Sequence, residues 1–350
     1  MSRGRGALTN PDNRFSSHSH EAFDDGWSTG ENVPAPLTTV LRPDSNRSMI
    51  SRNDSPDVPF DQSINPYRGC EHGCIYCYAR PTHAWLGHSP GLDFESLLYY
   101  KTDAAESLRR ELGKQGYRCK PLAIGGVTDA YQPVEKRLKL MRGILQLLVD
   151  CGQPTTLLTK SALVERDIDL LTKLASRRQA QVMISITTLE RDLARRLEPR
   201  AAAPQRRLQT IARLSRAGIP VGVLVAPVIP VLTDPELERI MTAARNAGAV
   251  NARYILLRLP REVAGLFSEW LETHVPQQAA RILKRIRDTQ GGALYRSQFG
   301  QRMSGEGPYA EMIAQRFQLA RKRLGFREME VLDCSAFSRP CASGGQLSLL

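Results

Sequence analysis

From residue 121 to residue 259 of this 350-residue chain, short runs of Val, Ile, Leu and Thr alternate with longer segments of helical period, which limits the fold more than any other feature. The runs fall at 121–127, 155–159, 182–187, 221–229 and 254–259. Between them, residues 136–151, 165–177, 204–217 and 235–247 place apolar side chains on one face, with Pro204 opening one segment and Gly218 following its end. Near-continuous apolar runs suit strands covered on both faces, so the pattern predicts a parallel sheet with right-handed crossovers. With an initial strand near Ser63 and Ile64, six strand–helix units result. The predicted class is α/β, a partial (β/α)6 TIM-like barrel rather than a closed eight-fold one.

The flanks read differently. Residues 1–59 are rich in Ser, Asn, Asp, Pro and Gly, bury too little apolar area to offset their ordering entropy, and are expected to form a mostly disordered N-terminal tail. Residues 60–260 form the barrel; 261–330, with helical pattern at 263–274, 277–289 and 308–325, form a helical C-terminal extension that caps the mouth or docks on the side. Residues 331–350 are expected to be a flexible tail. No stretch is long and apolar enough to cross a bilayer, and the charged first residues have no apolar run behind them, so a cytoplasmic protein is predicted. Seven cysteines, an odd number with three on one loop, fit a reducing compartment.

Those three are Cys70, Cys74 and Cys77, a C-x3-C-x2-C run with Tyr76 just before the last thiol. Three thiolates on one short loop can hold three corners of a cubane 4Fe-4S cluster and leave the fourth iron open to a non-protein ligand. The competing arrangement is structural zinc with His72, His83 or Cys119 as fourth ligand. Such sites usually add a second Cys or His pair at short range, and the sequence has none. The loop resembles that of the radical S-adenosylmethionine (SAM) superfamily. The later string Thr128-Asp129-Ala130-Tyr131-Gln132-Pro133-Val134-Glu135, followed by Leu158-Thr159-Lys160-Ser161 and Arg166-Asp167, is similar to the branch related to spore photoproduct lyase.

The resemblance implies a 4Fe-4S cluster on Cys70, Cys74 and Cys77, with SAM on the open iron. It implies reductive cleavage of SAM to a 5′-deoxyadenosyl radical that abstracts hydrogen, fed by an electron donor such as flavodoxin or ferredoxin. In parallel sheets of this kind, reactive groups gather at the carboxyl ends of the strands. Gly125 and Gly126 there suit close approach to the SAM amino group, or simply a tight turn, while Thr128 and Asp129 offer acceptors. Lys160 ends the next strand and is a candidate for the SAM carboxylate, or an ordinary surface lysine; Ser185 and Thr187 supply hydroxyls. Arg200 is a second carboxylate candidate that could equally face phosphate or solvent, and Tyr76 packs beside the cluster.

The match to spore photoproduct lyase is one of scaffold and cofactor. That enzyme's hydrogen-donor cysteine precedes the Thr/Ser-Asp element, where this chain has Gly125, Gly126 and Val127; Cys119 and Cys151 are expected on the far side of the barrel. The formal charge of +12 favours a polyanionic partner, although arginine runs at 191–216 and 281–287 are read either as phosphate-tracking surface or as solvated helix faces. Chemistry on nucleic acid of a DNA-repair kind is the leading expectation. The alternatives are radical chemistry on a small molecule or protein, and a non-catalytic zinc-stabilised nucleic-acid-binding module. The last residues, Gln346-Leu347-Ser348-Leu349-Leu350, resemble peptides that dock on the DNA polymerase sliding clamp. Cys334 and Cys341 are too few to ligate a second metal unaided.

Overall fold

Buried and half-buried residues alternate along 155–159, and in the computed structural model, which describes residues 4–16, 37–45 and 48–340, such runs lie side by side. The strands are β1 (Val40–Pro43), β2 (Ile50–Arg52), β3 (Gln62–Ile64), β4 (Tyr67–Arg68), β5 (Leu97–Tyr100), β6 (Leu122–Ile124), β7 (Thr155–Thr159), β8 (Ala180–Ser185), β9 (Val221–Val228) and β10 (Asn251–Leu256). Seven make one sheet in the order β2-β3-β6-β7-β8-β9-β10. From β3 to β10 all neighbours are parallel, and β2 is antiparallel at the edge. Six parallel strands in chain order, with helices between, give the expected partial barrel.

Its core lies between sheet and helices. Leu122, Leu157, Val182, Val221 and Val223 from the strands meet Ile144, Leu148, Leu171, Ile211 and Ile240 from the helices, all buried. Removing that apolar area from water is the main stabilising term.

Two boundaries differ from expectation. The helix expected at 136–151 is split into Glu135–Leu138 and Leu140–Cys151 by Lys139, which takes a left-handed φ of 54°. The last strand begins at Asn251 rather than 254, pairing Asn251 with Gly222 and Tyr254 with Val225. It is an edge strand, so Arg253 can be exposed and the apolar pattern is diluted. Leu257 and Leu259 instead join a second cluster with Ile229, Phe267 and Trp270.

A small sheet, ordered β1-β5-β4, carries the cysteine loop, because β4 ends at Arg68 and pairs with β5. The described parts of the N-terminal region are not loose: Arg5 and Ala7 are buried, and the backbone N–H groups of Gly6 and Ala7 each donate to Glu95 at 2.9 Å. Composition measures apolar area, whereas this strap is held by a buried carboxylate, which composition does not register.

The C-terminal extension divides. Helices Glu262–His274 and Pro276–Thr289 pack behind Cys74, Ile75 and Tyr76 through Phe267, Trp270, Leu271 and Ile282. Helix Gly307–Arg323 docks beside β10, with Phe317 against Tyr254 at 4.7 Å between ring centroids and Arg316 on Glu238 at 2.7 Å. Residues 331–340, part of the expected flexible tail, are hydrogen-bonded to the domain: Asp333 N donates to Arg178 O and Ser338 N to Cys151 O, both at 2.9 Å. Cys341 and the clamp-like residues Gln346 to Leu350 lie outside the described residues. No helix among the described residues is long and apolar enough to cross a membrane.

Candidate active site

The cysteine loop leaves β4 at Gly69, whose φ of 77° puts it in the left-handed region; a Cβ there would press to 2.7 Å from Leu98 Cδ2. Cys70 N donates to Phe94 O at 2.9 Å and Cys77 N to Cys74 O at 3.1 Å. Gln132, fully buried, spans the loop by accepting from Glu71 N at 2.8 Å and donating to Gly69 O at 3.2 Å. Beneath it Arg80, with no exposed surface, pairs with buried Glu95 and donates to Cys74 O at 3.0 Å. A chain shape set by so many buried bonds is rigid before any ligand arrives.

Cys70 and Cys74 are buried and Cys77 is partly so. Burial pushes all three thiols up, and the Asp129 carboxylate followed by the neighbouring sulfurs raises Cys70 further. Such thiols stay protonated unless a cation repays the desolvation. Among the described residues no group of three or more His, Cys, Asp or Glu side chains is gathered as a single-ion site. The proposed fourth zinc ligands are placed for other work. His72 Nδ1 faces Asp129 at 3.3 Å, His83 Nε2 meets Leu97 O at 2.8 Å, and Cys119 donates to Gln153 at 3.5 Å before β6, away from the loop.

The strand ends converge on the loop, but not every expected residue faces a ligand. Gly125, at φ 84°, is required because a Cβ would lie 2.2 Å from Leu158 O on the neighbouring strand. Its absence of a side chain therefore serves strand packing. Gly126 O accepts from the Tyr78 hydroxyl. Thr128 is buried and donates to Tyr67 O at 2.9 Å. Asp129 accepts from Thr159 Oγ1 and Lys160 N at 2.7 Å each and from Tyr131 N at 2.9 Å. Burial would lift the Asp129 carboxyl, but His72 and these donors hold it below the usual range. Thr128 and Asp129 thus tie the cysteine loop to the ends of β6 and β7.

Lys160, Ser185, Thr187 and Tyr76 do come together. Lys160 Nζ donates to Ser185 Oγ at 2.6 Å and Ala226 O at 3.2 Å, and sits 5.8 Å from the centre of the Tyr76 ring. The Tyr76 hydroxyl is 3.0 Å from Thr187 Oγ1 and donates to Glu198. Glu198 organises the group: Lys160 lies 3.4 Å away, Thr187 donates at 2.7 Å and buried Arg207 forms a close ion pair. Burial alone would raise the Glu198 carboxyl, but Arg207 and Lys160 hold it well below the ordinary carboxylate range. Arg200 stands apart, 3.0 Å from Glu71 and 35% exposed.

Sequence reasoning missed Glu198, Arg207, Arg80, Glu95 and Gln132. Glu198 adjoins the Arg200 motif, yet nothing local distinguishes its carboxylate from a surface one. The arginine run at 191–216 is also partly consumed internally: Arg207 is buried on Glu198, and Arg206 and Arg213 both bind Glu165.

Comparison with known proteins agrees with this geometry. Residues 64–244 match the family model described as Radical SAM superfamily. An uncharacterized protein of Mycobacterium tuberculosis (strain ATCC 25618 / H37Rv) is 38% identical over 232 residues, 66% of this chain and 68% of its own length. One from Methanocaldococcus jannaschii is 32% identical over 173 residues, 49% of this chain and 62% of its own. Among solved structures, spore photoproduct lyase complexed with dinucleoside spore photoproduct superposes with a TM-score of 0.58 at 15% identity, covering 83% of this chain and 81% of that one. A mutant of that enzyme with bound AdoMet and dinucleoside spore photoproduct gives 0.56 at 15% identity over the same shares. At such identity the structural likeness is one of fold. The family match over more than half the chain decides against the zinc-stabilised binding module: this chain belongs to the radical SAM superfamily, whose enzymes work with a 4Fe-4S cluster and S-adenosylmethionine.

Proposed function

We propose that this radical SAM enzyme abstracts hydrogen from a nucleic acid, with Cys70, Cys74 and Cys77 holding the cluster. The donor set fits: three buried sulfurs on one rigid loop, whose desolvated thiols need a cation to ionise. When bound, the cluster supplies the electron that splits SAM and yields the 5′-deoxyadenosyl radical. The protein's own share is positioning. Lys160, 16% exposed, presents an ammonium whose direction is set by Ser185, Ala226 O and Glu198. Tyr76, Ser185 and Thr187 line the same corner, while Gly125, Gly126, Thr128 and Asp129 keep the strand ends in register beneath it. Lys160, Tyr76, Ser185 and Thr187 would line the SAM pocket, while Arg200 is engaged by Glu71 at 3.0 Å.

The observation that carries the substrate class lies at the barrel mouth. The Tyr78 ring, 43% exposed and bonded to Gly126 O beyond β6, has Arg258 at 4.3 Å. Phe299, 55% exposed, has Arg302 at 4.7 Å. Exposed rings suit stacked bases, with the Arg258 guanidinium beside Tyr78 for an adjacent phosphate, while Arg302 is itself held by Asp57 and Ser55. One solved structure of similar fold, spore photoproduct lyase, is complexed with dinucleoside spore photoproduct, which supports the same substrate class. The chemistry differs from thiol-relayed reversal of a dimer, because Gly125, Gly126 and Val127 offer no thiol and Cys119 and Cys151 lie towards the opposite strand ends.

Anaerobic reconstitution with iron and sulfide, followed by dithionite and SAM, tests the reading. Release of 5′-deoxyadenosine should rise with ultraviolet-damaged oligonucleotide and carry deuterium from labelled substrate. Release that ignores every oligonucleotide, with no DNA binding, would refute the substrate class.

A further inference from the structure

The N-terminal strap and the cysteine loop meet backbone to backbone at two glycines. A Cβ on Gly6 would lie 1.8 Å from Gly73 O, and one on Gly73, at φ 67°, would lie 2.7 Å from Glu95 Oε2. Gly73 precedes Cys74, so the strap touches the loop that carries the thiols. Buried Ala7 joins Cys74, Ile75 and Tyr76 in one apolar cluster. A second contact falls on Glu71, the residue after Cys70. Arg5 donates to Thr39 Oγ1 at 3.0 Å, and the Thr39 hydroxyl donates to Glu71 at 2.5 Å. Tyr76 reaches the other way, towards Thr187 beyond β8, so the loop is held between barrel and strap.

Polar groups are concentrated at this contact. Arg5 Nη1 donates to Glu95 O at 2.5 Å, Gly6 N and Ala7 N donate to the Glu95 carboxylate, and buried Arg80 pairs with that carboxylate while donating to Cys74 O. Buried charge is weak support for stability as such, because apolar packing of similar volume serves as well. A fully bonded network does fix one arrangement. Here that arrangement lies against residues 71–76, all of them buried. Among the described residues no member of the strap belongs to the core between sheet and helices, so lifting the strap leaves the barrel folded. Further along, the strap is fastened away from the loop, with Asn10 and Asp93 exchanging two hydrogen bonds and Arg14 paired with Glu262 at 2.7 Å.

We propose that Arg5, Gly6 and Ala7 form a cover that closes the cysteine loop to solvent and retains the iron–sulfur cluster on it. The inference rests on the assignment of the cluster to Cys70, Cys74 and Cys77. Arg5 and Gly6 are positioning residues, acting on the loop through Glu95, Glu71 and Gly73. The shell around a metal site controls how solvent reaches it, so a lifted strap opens the loop from the side that Gly6 closes.

The test uses the full chain reconstituted anaerobically with iron and sulfide, as parent, Gly6→Ala, Arg5→Ala and Arg14→Ala. Iron release to the ferrous chelator bathophenanthroline disulfonate is followed without air, and far-ultraviolet circular dichroism reports on the barrel. Gly6→Ala and Arg5→Ala should release iron about tenfold faster than the parent, with the barrel spectrum unchanged. Arg14→Ala cuts a fastening away from the loop and should release iron at the parent rate. Parent-like release from both Gly6→Ala and Arg5→Ala overturns the inference, whether or not the strap has detached. Faster release together with loss of the barrel spectrum also overturns it, because the strap would then serve folding. An equal rise in Arg14→Ala would deny Arg5 and Gly6 their particular role. A parent chain that takes up no iron removes the cluster assignment and the cover with it, a result seen before any variant is compared.

Discussion

Glu198 offers the sharpest test of how the site is held together. It is buried with Arg207, whose side chain is 2% exposed, and also neutralises Lys160 at 3.4 Å. Glu198→Gln keeps the shape but leaves a buried guanidinium without its counter-charge, a change that costs about 3–5 kcal/mol when one partner of a buried pair is removed. With about 2.1 cal/mol/K of unfolding entropy per residue, 350 residues give about 0.7 kcal/mol/K, so Tm should drop by about 4–7 °C. Adding Arg207→Met to Glu198→Gln should restore part of the loss, because an apolar side chain has no charge to strand. The pH dependence has a definite sign. Glu198 is depressed from its ordinary 4.5, so its contribution is complete above about 4.5 and is lost as pH falls towards the lower folded value. Anaerobic differential scanning calorimetry of parent, single and double variants at pH 7 and pH 4 measures both effects. A single variant that loses under about 1 kcal/mol, or a double variant that loses the full sum, would show that the pair is solvated and the reasoning wrong.

Replacing Cys70, Cys74 or Cys77 by Ala should strip iron from the reconstituted protein by elemental analysis, whereas Cys119→Ala should leave the iron content intact. Gly6→Ala would place a Cβ 1.8 Å from Gly73 O, so the N-terminal strap should detach and trypsin should cut at Arg5 or Arg14 markedly faster than in the parent. The hydrogen bond from Arg316 holds the Glu238 carboxyl below its usual range. The Glu238 contact with helix Gly307–Arg323 should therefore persist above about pH 4.5 and weaken as pH falls further, read as faster amide exchange in that helix. Glu238→Gln should exchange fast at both pH values; identical exchange in parent and variant at pH 7 would refute the latch.

Features governed by local pattern were readable in the chain. The run 155–159 is β7 with the same ends, and helix Pro204–Arg216 starts at its proline. Three thiols within eight residues declare a shared ligand whatever the rest of the fold does. Other residues changed meaning in three dimensions. Gly125 looked like room for a cofactor but makes room for Leu158 O, and Asp129 looked like a free acceptor but is already saturated by its neighbours. The strap at Arg5, Gly6 and Ala7 was invisible because its partner, Glu95, is about ninety residues away.

Period and spacing are properties of adjacent residues, so the amino-acid order alone determined the strand–helix alternation, the cysteine loop and the family to which they point. Pairing of buried charges is not: Tyr76 and Glu198 are separated by 122 positions, and Glu198 lies nine residues from Arg207 across a helix start. Which carboxylates are buried and which cations they neutralise were decided only when the sheet brought those segments together, because desolvation makes the strength of a charge pair depend on everything packed around it.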